Sequence, residues 1–139
     1  MRVLKFGGSS VANADNINKI VAILKERLPN EKLILVVSAL GGITDSLLTT
    51  VVLASEGNED YKSHLEQIEN RHLQMVKQLI PVAQQSRVLS MVKQLCNDLE
   101  DICNGVYMLQ ELTPRTRDRI MSYGEIMSSK IISSKFETA

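Results

Sequence analysis

A lysine inside a short apolar strand, followed at once by two glycines and two serines, is suited to holding an anion: Val3-Leu4-Lys5-Phe6-Gly7-Gly8-Ser9-Ser10-Val11. Glycines permit a tight turn and let backbone N–H groups come close to a phosphate, while a following helix aims its partially positive N-terminus at the same point. Lys5 adds a full positive charge, and an ammonium buried in a strand without a partner is costly. The pattern is neither a GxxxxGK[ST] loop nor a GxGxxG fingerprint. By itself, a Gly-Gly pair serves any tight strand-to-helix connection.

Two further stretches carry chemistry-bearing residues. In Ser38-Ala39-Leu40-Gly41-Gly42-Ile43-Thr44-Asp45, hydroxyls and free N–H groups converge at the end of a strand, where a carboxylate can sit. Thr44 or Asp45 there also reads as a plain N-cap. In Ser122-Tyr123-Gly124-Glu125-Ile126-Met127-Ser128-Ser129, a glycine within a helical pattern implies close approach of another segment, with Glu125 turned inward toward a cation or amine. An isolated glutamate is more commonly solvated.

The elements that must position these residues follow from periodicity. Arg2–Phe6 reads as a strand, residues 16–28 as a helix with Ile17, Ile20, Val21 and Leu24 on one face and Asp15 as N-cap, and Pro29-Asn30 as its end. Residues 32–39 form an apolar run expected of a strand buried on both faces. A βαβ unit with parallel strands results, so both Gly-Gly turns fall at carboxyl ends of strands, where open α/β sheets bind ligands. A helix over 44–54 follows. Tyr61, Leu65, Ile68, His72, Met75, Val76 and Leu79 then trace one helical stripe up to a break at Pro81. Val88, Val92, Leu95, Leu99, Ile102, Val106 and Leu109 recur as a heptad seam, which favours a helical hairpin or a coiled-coil contact. Gly105 within it costs about 1 kcal/mol relative to alanine. Thr113-Pro114 is an N-cap and N1 pair opening a last helix toward Phe136, with an interruption expected near Gly124.

Composition narrows the classes. The 139 residues have room for one core, and 44% hydrophobic content is ordinary for a globular protein. Sixteen basic and sixteen acidic residues cancel, so no net field draws the chain to nucleic acid or to an anionic membrane. The longest aliphatic run, Leu33–Val37, is far short of the ~20 residues of a membrane helix. Lys5 and two glycines arrive before any signal-peptide core can form, so a cytoplasmic protein is expected. Cys96 and Cys103, seven apart in a helical pattern, stand roughly 10 Å apart along the axis and read as reduced thiols on a buried stripe. His64 and His72 form no zinc-ligand spacing and read as surface or half-buried histidines.

Taken together, Lys-Phe-Gly-Gly-Ser-Ser-Val, Val-Val-Ser-Ala-Leu-Gly-Gly-Ile-Thr-Asp and Ser-Tyr-Gly-Glu-Ile-Met-Ser-Ser resemble, in order and spacing, the aspartokinases of the amino-acid kinase family. The Met-Arg-Val-Leu-Lys opening and Val-Ala-Asn-Ala look most like the kinase part of bifunctional aspartokinase–homoserine dehydrogenases. The resemblance covers essentially the whole chain and is weakest across residues 56–112. It implies an α/β fold, the helix-rich N-terminal part of a three-layer αβα amino-acid kinase domain with two parallel strands and a long helical hairpin. It also implies phosphoryl transfer from ATP, with Mg2+, to the side-chain carboxylate of L-aspartate, the first step toward threonine, methionine and lysine. Lys5 would be the catalytic, phosphate-binding lysine, with Gly7, Gly8 and Ser9 cradling the phosphates. Ser38, Thr44 and Glu125 would belong to the aspartate pocket, Glu125 meeting the substrate amino group.

Within that frame, residues 1–56 are expected to be the βαβα phosphate and substrate part, 57–112 the helical hairpin, and 113–139 the C-terminal helix of a partial kinase domain. Family catalytic domains continue further, so a fragment with half a site and little turnover alone is expected. Two strands without neighbours leave an apolar edge and face exposed, so a homo-oligomer is expected too. Three alternatives remain: a family member with a different carboxylate substrate, a non-catalytic helical interaction module built on the 88–109 seam, and a dinucleotide-binding unit. The last should carry an acidic residue where Ser38 stands.

Overall fold

The computed structural model describes residues 1–27, 29–30 and 32–138. The expected helix end at Leu28 and the final Ala139 lie outside the described residues. The order is β1 (Arg2–Phe6), α1 (Ala14–Arg27), β2 (Leu33–Val37), α2 (Ile43–Ser55), α3 (Tyr61–Leu79), α4 (Val82–Leu109) and α5 (Pro114–Thr138). β1 and β2 pair in parallel, from Arg2 opposite Leu33 to Phe6 opposite Val37. Ser38 N–H donates to the Phe6 carbonyl at 3.0 Å, which continues the ladder into the following loop. Among the described residues, no helix is long and apolar enough to cross a membrane.

Helix α1 buries the expected Ile17, Ile20, Val21 and Leu24. Its cap is Asn13 rather than Asp15: Asn13 Oδ1 accepts the Asn16 N–H at 2.9 Å, and Asp15 lies in the first turn, where its charge favours the helix dipole. Helix α2 starts at Ile43, so Thr44 and Asp45 are first-turn residues and neither caps. Gly42 precedes it with φ 80°, a left-handed conformation that glycine adopts without penalty.

Helices α3 and α4 form the expected hairpin, joined by Ile80 and Pro81. Their antiparallel register is marked by Tyr61, whose hydroxyl donates to Asn104 Oδ1 at 2.6 Å, by Lys93 paired with Glu69 at 2.7 Å, and by Gln85, whose amide donates to the Ile80 carbonyl at 2.8 Å. The heptad seam is not a coiled-coil seam. α4 contacts α2, α3 and α5, so its buried stripe widens to include Cys96 and Cys103, while Leu109 is 70% exposed past the end of the bundle. His72 is fully buried rather than half-buried, because its side chain faces inward with the rest of the α3 stripe.

Thr113 Oγ1 accepts the Thr116 N–H at 3.1 Å and caps α5, whose first residue is Pro114. The helix runs unbroken through Gly124, where an interruption was expected. Glycine serves packing there: a Cβ built on Gly124 would lie 2.8 Å from Ala39 Cβ. β2 is covered on one face only. Leu33, Leu35 and Val37 turn toward a groove of about 320 Å3 shared with Leu24, Ile132 and Phe136. Ile34 and Val36 remain 46% and 44% exposed, because among the described residues no helix lies over them.

Candidate functional site

Three segments meet at the carboxyl ends of the two strands. In the first loop the Gly7 carbonyl accepts from Ser10 and Val11 N–H, closing a turn, while a Cβ on Gly7 would meet nothing within 4 Å. The second loop lies directly against it: a Cβ on Gly41 would stand 3.1 Å from Ala12 Cβ and 3.5 Å from the Gly8 carbonyl oxygen. The third segment is the Gly124 turn of α5, pressed on Ala39 and fixed one turn later by Ser128 Oγ, which donates to the Ser38 carbonyl at 2.6 Å. Close backbone approach at Gly41 and Gly124 is therefore what assembles the site. A side chain at either position would push the segments apart.

The free donors sit where an anion can use them. Among the described residues, the N–H groups of Gly8 and Ser9 in the first loop and of Thr44 and Asp45 at the start of α2 find no acceptor in the chain. The first set belongs to a turn and the second to the first turn of α2, and they lie on two adjoining loops. Lys5 stands on the outer face of β1 opposite Val36. It is exposed, not buried, so the burial cost argued from sequence does not arise; its strand face carries no covering layer. Ser38 is half-buried, and Thr44 is exposed on the first turn of α2.

Glu125 follows the contact residue Gly124 but is exposed, and the inward turn expected of it is absent. Gly124 spends the packed face of that turn on Ala39, Ile43 and Leu47, which rotates Glu125 toward solvent beside the second loop. Among the described residues, no group of three His, Cys, Asp or Glu side chains can hold a metal ion. Magnesium beside a nucleotide takes most of its ligands from phosphates and water and needs only one or two carboxylates, so no such cluster is required for it.

Two supporting residues were invisible in the sequence. Asn16 Nδ2 donates to the Ser9 carbonyl at 3.1 Å and ties the first loop to α1. Arg71, reaching from α3, donates through Nη2 to the Ala12 carbonyl at 3.0 Å and through Nη1 to the Gly41 carbonyl, so one guanidinium bridges both loops. Spacing offered no signal for Arg71, one charge among many on α3.

Residues 1–139 match the amino acid kinase family. Aspartokinase 1, chloroplastic, of Arabidopsis thaliana is 35% identical over a match covering 98% of this chain and 23% of that protein. The bifunctional aspartokinase/homoserine dehydrogenase of Buchnera aphidicola is 28% identical, covering 96% of this chain and 17% of that protein. The crystal structure of E. coli aspartokinase III in complex with aspartate and ADP superposes with a TM-score of 0.80 at 24% identity, over 99% of this chain and 29% of that one. The chain thus spans about a quarter of the plant relative's length, and its helix-rich α/β layout is the corresponding part of the aspartokinase III fold. With two glycine turns abutting at the ends of parallel strands and a match from end to end, the chain belongs to the amino acid kinase family.

Proposed function

We propose that this chain supplies the phosphate loop and the aspartate-facing loop of an aspartate kinase, in which the side-chain carboxylate of L-aspartate attacks the γ-phosphorus of ATP to give 4-phospho-L-aspartate and ADP. The observation that carries this reading is the convergence of the Gly7–Gly8, Gly41–Gly42 and Gly124 segments at one end of the sheet, with unpaired N–H groups on the first two. The aspartokinase names of the relatives, and the aspartate and ADP of the structural neighbour, support the choice of substrates.

In this reading Lys5 is the catalytic lysine that binds the phosphates and offsets charge on the transferring group. Gly7, Gly8 and Ser9 cradle the same phosphates. Ser38, Thr44 and Glu125 face the aspartate, with Glu125 meeting its amino group. Phosphoryl transfer needs positioning and charge neutralisation more than covalent help from the protein, and the substrate carboxylate is itself the nucleophile. The free first-turn N–H groups of α2 are suited to hold the substrate's other carboxylate. Magnesium would enter with the nucleotide and offset charge on its phosphates.

Residues 1–56, 57–112 and 113–139 are proposed as the phosphate and substrate part, the hairpin and the closing helix of a partial kinase domain. Homo-oligomerisation and a cytoplasmic location belong to the same proposal, the former supported by the exposed Val3, Ile34 and Val36 of the outer sheet face.

Hydroxylamine trapping of acyl phosphate tests the reading, with ATP, magnesium and aspartate, on the protein encoded by the longest reading frame that contains this chain. Aspartyl hydroxamate is expected, falling by roughly 1,000-fold in Lys5→Ala, the scale for losing a charge-stabilising group in phosphoryl transfer. Product only with another amino acid would replace aspartate by a different carboxylate substrate. No product at all would remove the kinase reading.

A further inference from the structure

We propose that Arg71 is a positioning residue of this site, the clamp that holds the phosphate loop and the aspartate-facing loop in fixed register from the helical side of the molecule. The inference rests on the aspartate kinase reading above, and it concerns a residue outside all three sequence motifs.

Arg71 lies 59 residues from Ala12 and 30 from Gly41, yet its guanidinium donates to the carbonyls of both. These carbonyls belong to the two loops that meet at Gly41 and Ala12. A planar guanidinium holds its donors in a rigid fork, so the bridge fixes both the distance and the relative orientation of its two acceptors. A Cβ built on Gly42 would lie 3.8 Å from Nη1, which places the head group directly beneath the second turn.

The charge is not used elsewhere. Among the described residues no carboxylate lies within ion-pair distance of Arg71, and Glu69 on the same helix is paired with Lys93 at 2.7 Å. Two neutral carbonyls leave the guanidinium's positive charge uncancelled beside loops whose Gly8, Ser9, Thr44 and Asp45 N–H groups have no acceptor among the described residues. A half-buried charge placed there favours an anion on the open side. The Gly41 carbonyl is also the acceptor that an Asp45 N–H would take in a longer α2. With Arg71 on that carbonyl, the Asp45 N–H finds no acceptor in the chain, among the described residues.

The test compares Arg71→Ala and Arg71→Lys with Met75→Ala, a buried α3 residue one turn further on, in the same whole protein as above. Each is assayed below its own unfolding transition. Arg71→Ala is expected to lose roughly 10- to 100-fold in kcat/KM for ATP and for aspartate alike, the scale of a small misplacement of reacting groups. Arg71→Lys, whose ammonium can serve only one of the two carbonyls well, should recover part of the loss. Met75→Ala should lower the unfolding temperature and leave kcat and both KM values unchanged.

Wild-type kcat/KM in Arg71→Ala, or an equal loss in Met75→Ala, would overturn the clamp. If Arg71→Ala does not fold, wild-type kinetics in Arg71→Lys would overturn it equally. Amide hydrogen exchange over residues 7–12 and 40–45 separates this from failure of the kinase reading. Faster exchange there in Arg71→Ala than in Met75→Ala supports the clamp whatever the substrate, and equal exchange overturns it.

Discussion

On the helical side of the molecule Val51, Val92 and Met127 have no solvent exposure, whereas on the outer face of the two-stranded sheet Val3 is 63% exposed and Ile34 and Val36 nearly half. The helical side holds itself together by ordinary core packing around α4. The strand side presents Lys5, Ser9, Thr44 and Glu125 to solvent and is held through backbone contacts at Gly41 and Gly124 and the reach of Arg71. Stability and proposed chemistry therefore reside in different residues, so substitutions should separate them.

The largest separation is expected between cores. Met127→Ala, at a position with no exposure, should cost about 2–5 kcal/mol in urea unfolding, while Val36→Ala on the bare sheet face should cost under about 1 kcal/mol. A loss at Val36 as large as that at Met127 would mean that the outer face is covered in solution.

A smaller contrast lies between two helical glycines. Gly124→Ala forces a methyl to within 2.8 Å of Ala39 and should cost about 1–3 kcal/mol, whereas Gly105→Ala has open space around it and should gain up to about 1 kcal/mol from helix propensity. Equal stabilisation by both would show that α5 can draw back from the second loop at no cost.

The gentlest handle is pH. Burial, with the charge of Arg71 adding to it and the Ile68 carbonyl opposing, holds the His72 ring below its usual 6.5. Its Nδ1 bonds the Ile68 carbonyl at 2.7 Å, and its Nε2 has no partner among the described residues. Below pH 6.5 the unfolded chain takes up a proton that the folded one resists, so the stability contribution is complete above that pH and declines as pH falls. The wild-type denaturation midpoint should fall relative to that of His72→Leu as pH drops from 7.5 to 5, and parallel curves would count against it.

How much of this was legible in the sequence depended on whether one segment or two decided the outcome. The apolar faces of α1 and α3 and the Thr113-Pro114 start of α5 came from local periodicity and capping chemistry. The three loops were found because glycine and hydroxyl residues mark strand ends. Coverage was not legible: the unbroken apolar run Leu33–Val37 reads as a strand buried on both faces and cannot say that Ile34 and Val36 stay half exposed. The buried stripe of Cys96 and Cys103 was legible, but the sequence could not place α4 against three helices rather than one, nor Leu109 outside the bundle. Glu125 was misdirected because Gly124 had already taken the packed face of its turn, and Arg71 was missed because its acceptors are backbone carbonyls far away in sequence.

Those two cysteines carry a last consequence. Burial pushes both thiols up to about 12, and Cys96 Sγ lies 3.8 Å from Met127 Sδ in the packed interior. Cys103 has no exposure, so an alkylating reagent reaches it only when α4 leaves its seat. Cys96 keeps a small edge toward the groove it lines with Leu65, Glu69 and Lys93, so it is the faster of the two to label. Labelling of Cys103, near Tyr61, therefore counts moments when the hairpin has come apart, a clock for local unfolding readable by mass spectrometry without altering a residue.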